Sequence, residues 1–320
     1  AASDVYKRQE MKKFIITMDT EGDNLWNWHE GDEITTHNTH YLLRFQQLCE
    51  KYGFKPVWLT NYEMIMDPDY VEFIKNVEKN HTGELGMHLH AWNSPPLYKL
   101  PIANDGQPYL IEYPKNIMEE KVKFLTDLIY EKTGIRPISH RAGRWAMNQE
   151  YFNIIGKYGY KIDCSVTPGI DWSHIVGRTK DSAGSNYKNC PHSIYNVELP
   201  ERTKLTEVPV SILLSHRYFC DVNAPIKKQI KKIWHSIKGY PIWLRPNGSN
   251  LKEMKYLLRC HTKTDDPYVM FMLHSSELMP SGSPSFKTDN QIEALYRDIA
   301  EVFDYAKALG YEGSTLRELI

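Results

Sequence analysis

Apolar residues along this chain fall into short runs that alternate with longer stretches of helical periodicity. Residues 14–18 (FIITM) are apolar with β-branched side chains, the pattern of a strand buried on both faces and hence of a parallel sheet. A helix is predicted over 41–52, stopping at Gly53, then a strand at 56–60, a helix opening on Asp67 and Pro68, and a strand at 84–90. Next come a helix over 117–132 with Gly134 behind it, a strand near Ile138, a helix at 149–158 and a strand at 160–165. The last third predicts strands at 208–214 and 268–273 and a helix over 290–309, where Ile292, Leu295, Ile299, Val302, Ala306 and Leu309 form an amphipathic stripe. Strand followed by helix, repeated, predicts βαβ units. Two stretches break the rhythm: 92–114, Pro-rich with an aromatic hairpin-like segment, and 167–191, rich in Gly, Ser and Asn. Both are long enough to be functional loops. With no repeat and no dividing linker, residues 11–320 are expected to form one barrel-like α/β domain.

Composition narrows the partners. The 320 residues hold 39 Lys+Arg and 40 Asp+Glu, so no basic field marks a nucleic-acid site. Lys227, Lys228, Lys231 and Lys232 sit at helical spacing and read as a solvated face. No apolar stretch approaches the roughly 20 residues of a membrane span. Cys49, Cys164, Cys190, Cys220 and Cys260 are odd in number and scattered, which suggests neither a disulfide framework nor a thiolate metal site. Residues 1–10 contain DVYKRQ, which reads as a translated sequencing adapter, and Met11 is then the expected start. From Met11 the chain enters a strand with no secretory h-region, so a cytoplasmic protein is expected.

The chemistry lies at strand ends. In ELGMHLH, Glu84, Gly86, His88 and His90 share one face of a strand, and the two histidines are about 6.6 Å apart at Cα, close enough to converge on one metal ion. In TMDTEGD, Asp19 and Glu21 have the same i, i+2 relation where the first strand ends, so one can ligate a cation while the other serves as a general base on one water. On these strand assignments Asp19, Glu21, His88, His90, Arg141, Asp163 and His274 all lie at the C-terminal ends of successive strands, the active-site face of a parallel barrel. No glycine-rich phosphate loop follows the first strand, which argues against nucleotide binding.

At these positions the sequence resembles the polysaccharide deacetylase family, the NodB-homology group or carbohydrate esterase family four, and within it the branch with a DTE first motif. The resemblance implies a distorted (β/α) barrel, here with seven parallel strands, that removes acetyl groups from a sugar with one divalent metal ion, zinc. It implies that Asp19 is the base and Glu21 a ligand, at D-x-D rather than adjacent spacing. His88 matches the first metal histidine. The family's i+4 position is Trp92, which leaves His90 as the second. SHRAGRW places Arg141 as the arginine orienting the base. IDCSVTPGIDW offers Asp163 or Asp171 to brace Arg141, and Trp172 to line the groove. MFMLHSSEL makes His274 the acid that protonates the leaving amine. KPVWLTNYEM and WLRPNGSNLKEM also belong to the resemblance, without an assigned chemistry.

Trp92, Trp145 and Trp172 follow these strands and offer indole faces to pyranose rings. His29, His37 and His40 are alternative ligands to His90. The implied partner is an acetylated carbohydrate, in a polymer or its precursor. Two other readings stay open: a glycoside hydrolase using Asp19 with Glu277 or Glu84, and a metal-free barrel that only binds glycan.

Overall fold

The computed structural model describes residues 11–200, 204–219 and 226–320; the adapter-like segment and Cys220 lie outside the described residues. Strand β1 (Lys13–Thr20) is the apolar run and is almost wholly buried. Because successive strand side chains face opposite ways, Phe14, Ile16 and Met18 join an outer core against the helices, while Ile15 packs inside the sheet with Val57, Leu59, Ile162 and Met270. Thr17 and Asp19 share the parity of Ile15.

β1 pairs in parallel with β10 (Tyr268–His274) on one side and β2 (Pro56–Thr60) on the other. The sheet continues in parallel through β3 (Glu84–Leu89), β4 (Ser139–Ala142), β5 (Ile162–Asp163) and β7 (Leu205–Glu207). These seven parallel strands curl into a half-barrel. Antiparallel β6 (Tyr195–Val197) is added at one end, and a short β11 (Glu312–Ser314) pairs with the first half of β1. The outer edge of β10 is closed by single contacts: Met270 N donates to Ser211 Oγ at 2.9 Å, Met272 N donates to the Leu244 carbonyl at 3.0 Å, and the Tyr268 hydroxyl donates to the Pro209 carbonyl.

The strand expected at 208–214 is divided. β7 ends at Glu207, although Val208 N and Val210 N still donate to the Asp163 and Val166 carbonyls at 2.8 and 2.9 Å on either side of Pro209, and the chain then enters β8 (Ile212–Ser215), antiparallel to β9 (Tyr240–Trp243) in a separate two-stranded sheet. Nor is there a hairpin within 92–114, whose regular structure is one 3₁₀ turn at Leu110–Glu112.

The helices are α1 (Thr39–Lys51), α2 (Tyr62–Met66), α3 (Pro68–Lys79), α4 (Lys115–Thr133), α5 (Gln149–Lys157), α6 (Ile226–Lys238), α7 (Leu251–His261) and α8 (Asp289–Ala308). Local signals set their ends. Asp67 caps α3 by accepting from Asp69 N at 2.9 Å, with Pro68 following it. α8 buries the predicted stripe through Ala306 and ends one residue before Leu309. No helix among the described residues is long and apolar enough to cross a membrane.

The two long loops join each other. Glu112 accepts from Tyr109 N at 2.6 Å within its own loop, and from Arg178 N at 3.0 Å, Thr179 N at 2.7 Å and Thr179 Oγ1 at 2.8 Å in the other. The Tyr109 hydroxyl donates to the Ile175 carbonyl at 2.9 Å. Below them the buried Lys121 of α4 donates to the carbonyls of Ser94 and Pro96, both at 2.6 Å.

Candidate active site and metal centre

Glu21 leaves the end of β1, His88 stands near the end of β3 and His90 follows it, and their side chains meet. His88 Nε2 lies 2.9 Å from His90 Nε2, and Glu21 Oε2 lies 3.6 Å from the first and 3.3 Å from the second. A tetrahedral zinc ion bound at about 2.0–2.1 Å sets its donors about 3.3 Å apart, a value these three separations bracket. His88 Nδ1 faces the Arg141 carbonyl at 3.0 Å, so that nitrogen carries the hydrogen and Nε2 presents its lone pair to the cluster. His90 Nδ1 is buried without a hydrogen-bond partner.

Electrostatics favour a cation here. Burial presses His90 down to about 3, making it a neutral donor at ordinary pH. Burial also presses on His88, but the charges of Asp19 and Glu21 outweigh it and raise this imidazole. For Glu21, burial is outweighed by His274, His88 and His90, and the carboxyl is held low. Among the described residues this is the one cluster of three His, Cys, Asp or Glu side chains whose donor atoms converge.

Neighbouring groups hold the cluster in place. Ser275 Oγ accepts from Glu21 N at 3.0 Å, and Asn38 Nδ2 donates to the Glu21 carbonyl at 2.8 Å. Glu63 accepts from Gly22 N at 2.6 Å, Asn61 Nδ2 at 3.2 Å and Asn93 Nδ2 at 2.6 Å. At Gly143 a Cβ would stand 2.4 Å from His90 Cδ2, so only glycine lets that imidazole sit where it does.

Next to the cluster, Arg141 is fully buried and almost saturated. Nη1 donates to Asp19 Oδ1 at 2.6 Å, Nη2 to Thr17 Oγ1 at 2.9 Å, and Nε to the Cys164 carbonyl at 3.1 Å. Burial alone would raise Asp19, but Arg141, then His88 and His274, hold its carboxyl well below the usual range. β1 and β10 are in register at Asp19 and His274, and His274 Nε2 comes within 3.8 Å of Asp19 Oδ2. On the far side of that ring, Glu277 lies 3.1 Å from His274 Nδ1 and Arg245 lies 3.1 Å from the same atom. Burial opposes ionisation of Glu277, yet His274 and Arg245 bring it down to about 2. Beside Arg245 and Glu277 lies a groove of about 670 Å³ that is also lined by Trp145, Trp172 and Trp243.

No family sequence model and no curated protein matches the chain. Solved structures do. A Mycobacterium smegmatis protein provisionally assigned as a polysaccharide deacetylase is 14% identical and superposes over 95% of this chain and 94% of its own, with a TM-score of 0.52. The chain has the NodB-like polysaccharide deacetylase fold. It is also similar to 4-alpha-glucanotransferase from Thermococcus litoralis, at 14% identity and a TM-score of 0.54, over 97% of this chain and 40% of that one. The family 4 carbohydrate esterase from Streptomyces lividans, solved with acetate, is 9% identical, with a TM-score of 0.43 over 95% and 92%. A deacetylase fold does not select a reaction, so function rests on the site.

Within that fold the residues singled out by sequence divide into two sets. Asp19, Glu21, His88, His90, Arg141 and His274 come together. Asp163 does not reach Arg141: it pairs in register with His140 and accepts from His140 Nδ1 at 2.6 Å, and that ring packs against Tyr151 of α5. The reason is strand parity, since Arg141 faces the interior while His140 and Asp163 face the helices. Asp171 lies in the second loop, bonded to Ser173 and Lys188. Trp92 stacks on His90, with ring centres 4.3 Å apart, so one of its faces is already taken. Trp145 crosses Arg141, its ring centre 5.0 Å from the guanidinium carbon, on a left-handed turn with φ of 55° at Arg144 and 62° at Trp145. His37 turns to Asp23 and His29 to Asp32, away from the cluster, and His40 lies exposed on α1. Arg245, Trp243, Glu63 and Asn61 were not singled out for chemistry by sequence. All four sit in WLRPNGSNLKEM or KPVWLTNYEM, so the two motifs without an assigned role were the available signal.

Proposed function

We propose that this chain is a divalent-metal-dependent deacetylase that hydrolyses the N-acetyl or O-acetyl group of a sugar in a polysaccharide or its precursor. The observation that carries the reading is the convergence of Asp19, Glu21, His88, His90 and His274 around one buried arginine at the mouth of the half-barrel. Glu21, His88 and His90 would hold the cation, and a nitrogen-rich set of this kind suits zinc. When bound, that ion supplies Lewis acidity toward the acetyl carbonyl and a more acidic water. Asp19, kept ionised and oriented by Arg141, accepts the water's proton. His274, between Asp19 and Glu277, delivers a proton to the departing sugar nitrogen, without which an amine anion would be a very poor leaving group. Trp145 and Trp172 stack on the sugar ring, which needs no charge field for recognition.

The test is acetate release from acetylated oligosaccharides by the wild type, Asp19→Ala and His88→Ala, with and without chelator. Loss of release in each variant and on chelation is expected. Activity indifferent to all three would overturn the reading.

The likeness to a glucanotransferase keeps a carboxylate-pair glycosidase in view. That chemistry needs one carboxyl raised to act as acid, whereas Asp19 and Glu277 are both held low. Glu84 lies at the opposite end of its strand, accepting from Arg317 N at 2.7 Å. Reducing-sugar release without acetate would reverse this preference.

A further inference from the structure

Helix α6 is built inside out. It stands between β8 and β9, the hairpin outside the main sheet, and its sequence IKKQIKKIWHSIK puts Ile226, Ile230, Ile233, Trp234 and Ile237 within a stripe about 100° wide. That stripe faces solvent, with exposures of 77%, 53%, 45%, 59% and 69% respectively. The side turned to the protein is polar: Ser236 is buried, Gln229 and Lys232 are half-buried, and Lys232 reaches Glu253 at 3.8 Å. Leu214 of β8, 63% exposed, extends the apolar surface beside Gly239 at the helix end. An isolated apolar side chain on a surface means little; a whole helical stripe directed outward marks a contact face.

The charges around the stripe identify its occupant. Lys227, Lys231 and Lys238 are exposed along one border, Lys238 Nζ lies 5.6 Å from the Trp234 ring, and the helix has no acidic residue. A second copy of the chain would set these lysines against their own kind. A bilayer carrying anionic headgroups offers a plane into which the stripe can sink while the lysines remain at headgroup level and the indole sits at the boundary. At 13 residues the helix is about 20 Å long, too short to span a bilayer but suited to lie in its surface. We propose that α6 docks this protein on anionic membrane surfaces. The groove beside the catalytic centre is lined by Lys232 and His235 of this same helix, on the side opposite the stripe, so docking leaves it about one helix diameter, roughly 10 Å, from the lipid surface.

Flotation of the full chain with vesicles tests this, using phosphatidylcholine alone and a roughly three-to-one mixture with phosphatidylglycerol. Binding to the mixed vesicles only, weakening with salt, is expected. Ile230→Glu combined with Trp234→Glu should lower it at least tenfold, and Lys227→Gln with Lys231→Gln should lower it chiefly at low salt. Both pairs lie at exposed positions, and an unchanged circular dichroism spectrum would exclude misfolding as the cause. No binding to either vesicle, binding that survives the Ile230/Trp234 pair, or a dimer in sedimentation velocity that the pair dissolves, would each overturn the proposal.

Discussion

At the residue scale, the buried Asp19–Arg141 pair bears on stability and, in the proposed reaction, on the base. Its strength lies less in the attraction than in what removal of one partner leaves behind. Arg141→Ala strands a carboxylate in the interior and should cost about 3–5 kcal/mol, read as a lower urea midpoint. Asp19→Asn keeps the shape and should cost less stability while abolishing acetate release. Equal destabilisation by the two would contradict this account. Glu63 gives a pH signature. Burial raises its carboxyl from 4.5 to about 7. Between those values the unfolded chain has released a proton that the folded chain retains, so stability falls as pH rises from about 4.5 to about 7. Glu63→Gln should flatten that slope in thermal melts over the same window, and a slope unchanged by the substitution would show that other groups cause it.

At the scale of elements, the strands supply positions and the loops supply enclosure. Glu112 holds the two long loops together through backbone and hydroxyl donors on both. Glu112→Ala should leave kcat within about threefold while raising KM, with faster proteolytic nicking within 92–114 and 167–191; unchanged nicking would show that other contacts hold the loops. Legibility follows the same division. β1, β2, β3 and β10 were readable because a buried parallel strand must be an apolar run, and His88 and His90 because period two puts them on one face. The parity of Asp163 was not readable. A one-residue uncertainty in β5 exchanges interior for exterior, and a two-residue strand has too little pattern to fix it. Pro209 lies in the break between β7 and β8, but the valines around it read as part of one strand.

On the scale of the whole molecule, the half-barrel brings together residues from both ends of the chain, and the sequence carried that only as a list of strand ends. Arg245 illustrates what the list lacked. It follows β9, outside the main sheet, and meets His274 only because β10 receives Leu244 along its open edge. No local pattern encodes such a seam. The outward stripe of α6 was likewise hidden: Lys227 and Lys231 are exposed, as their spacing predicted, but only burial shows that Ile226, Ile230, Ile233, Trp234 and Ile237 are exposed beside them.

The register of β1 with β10 also has a consequence for synthesis. β1 can pair with β2 soon after both leave the ribosome, but the strand for its other edge, β10, with the histidine facing Asp19, arrives about 250 residues later, a delay of roughly 10–50 s at ordinary translation rates. Throughout that interval the edge along Phe14–Met18 is open and apolar, a natural client for a chaperone. A nascent chain stalled before β10 should therefore bind a holdase chaperone, and one stalled after β11 has emerged should bind it much less, read by co-purification of the chaperone with each stalled chain.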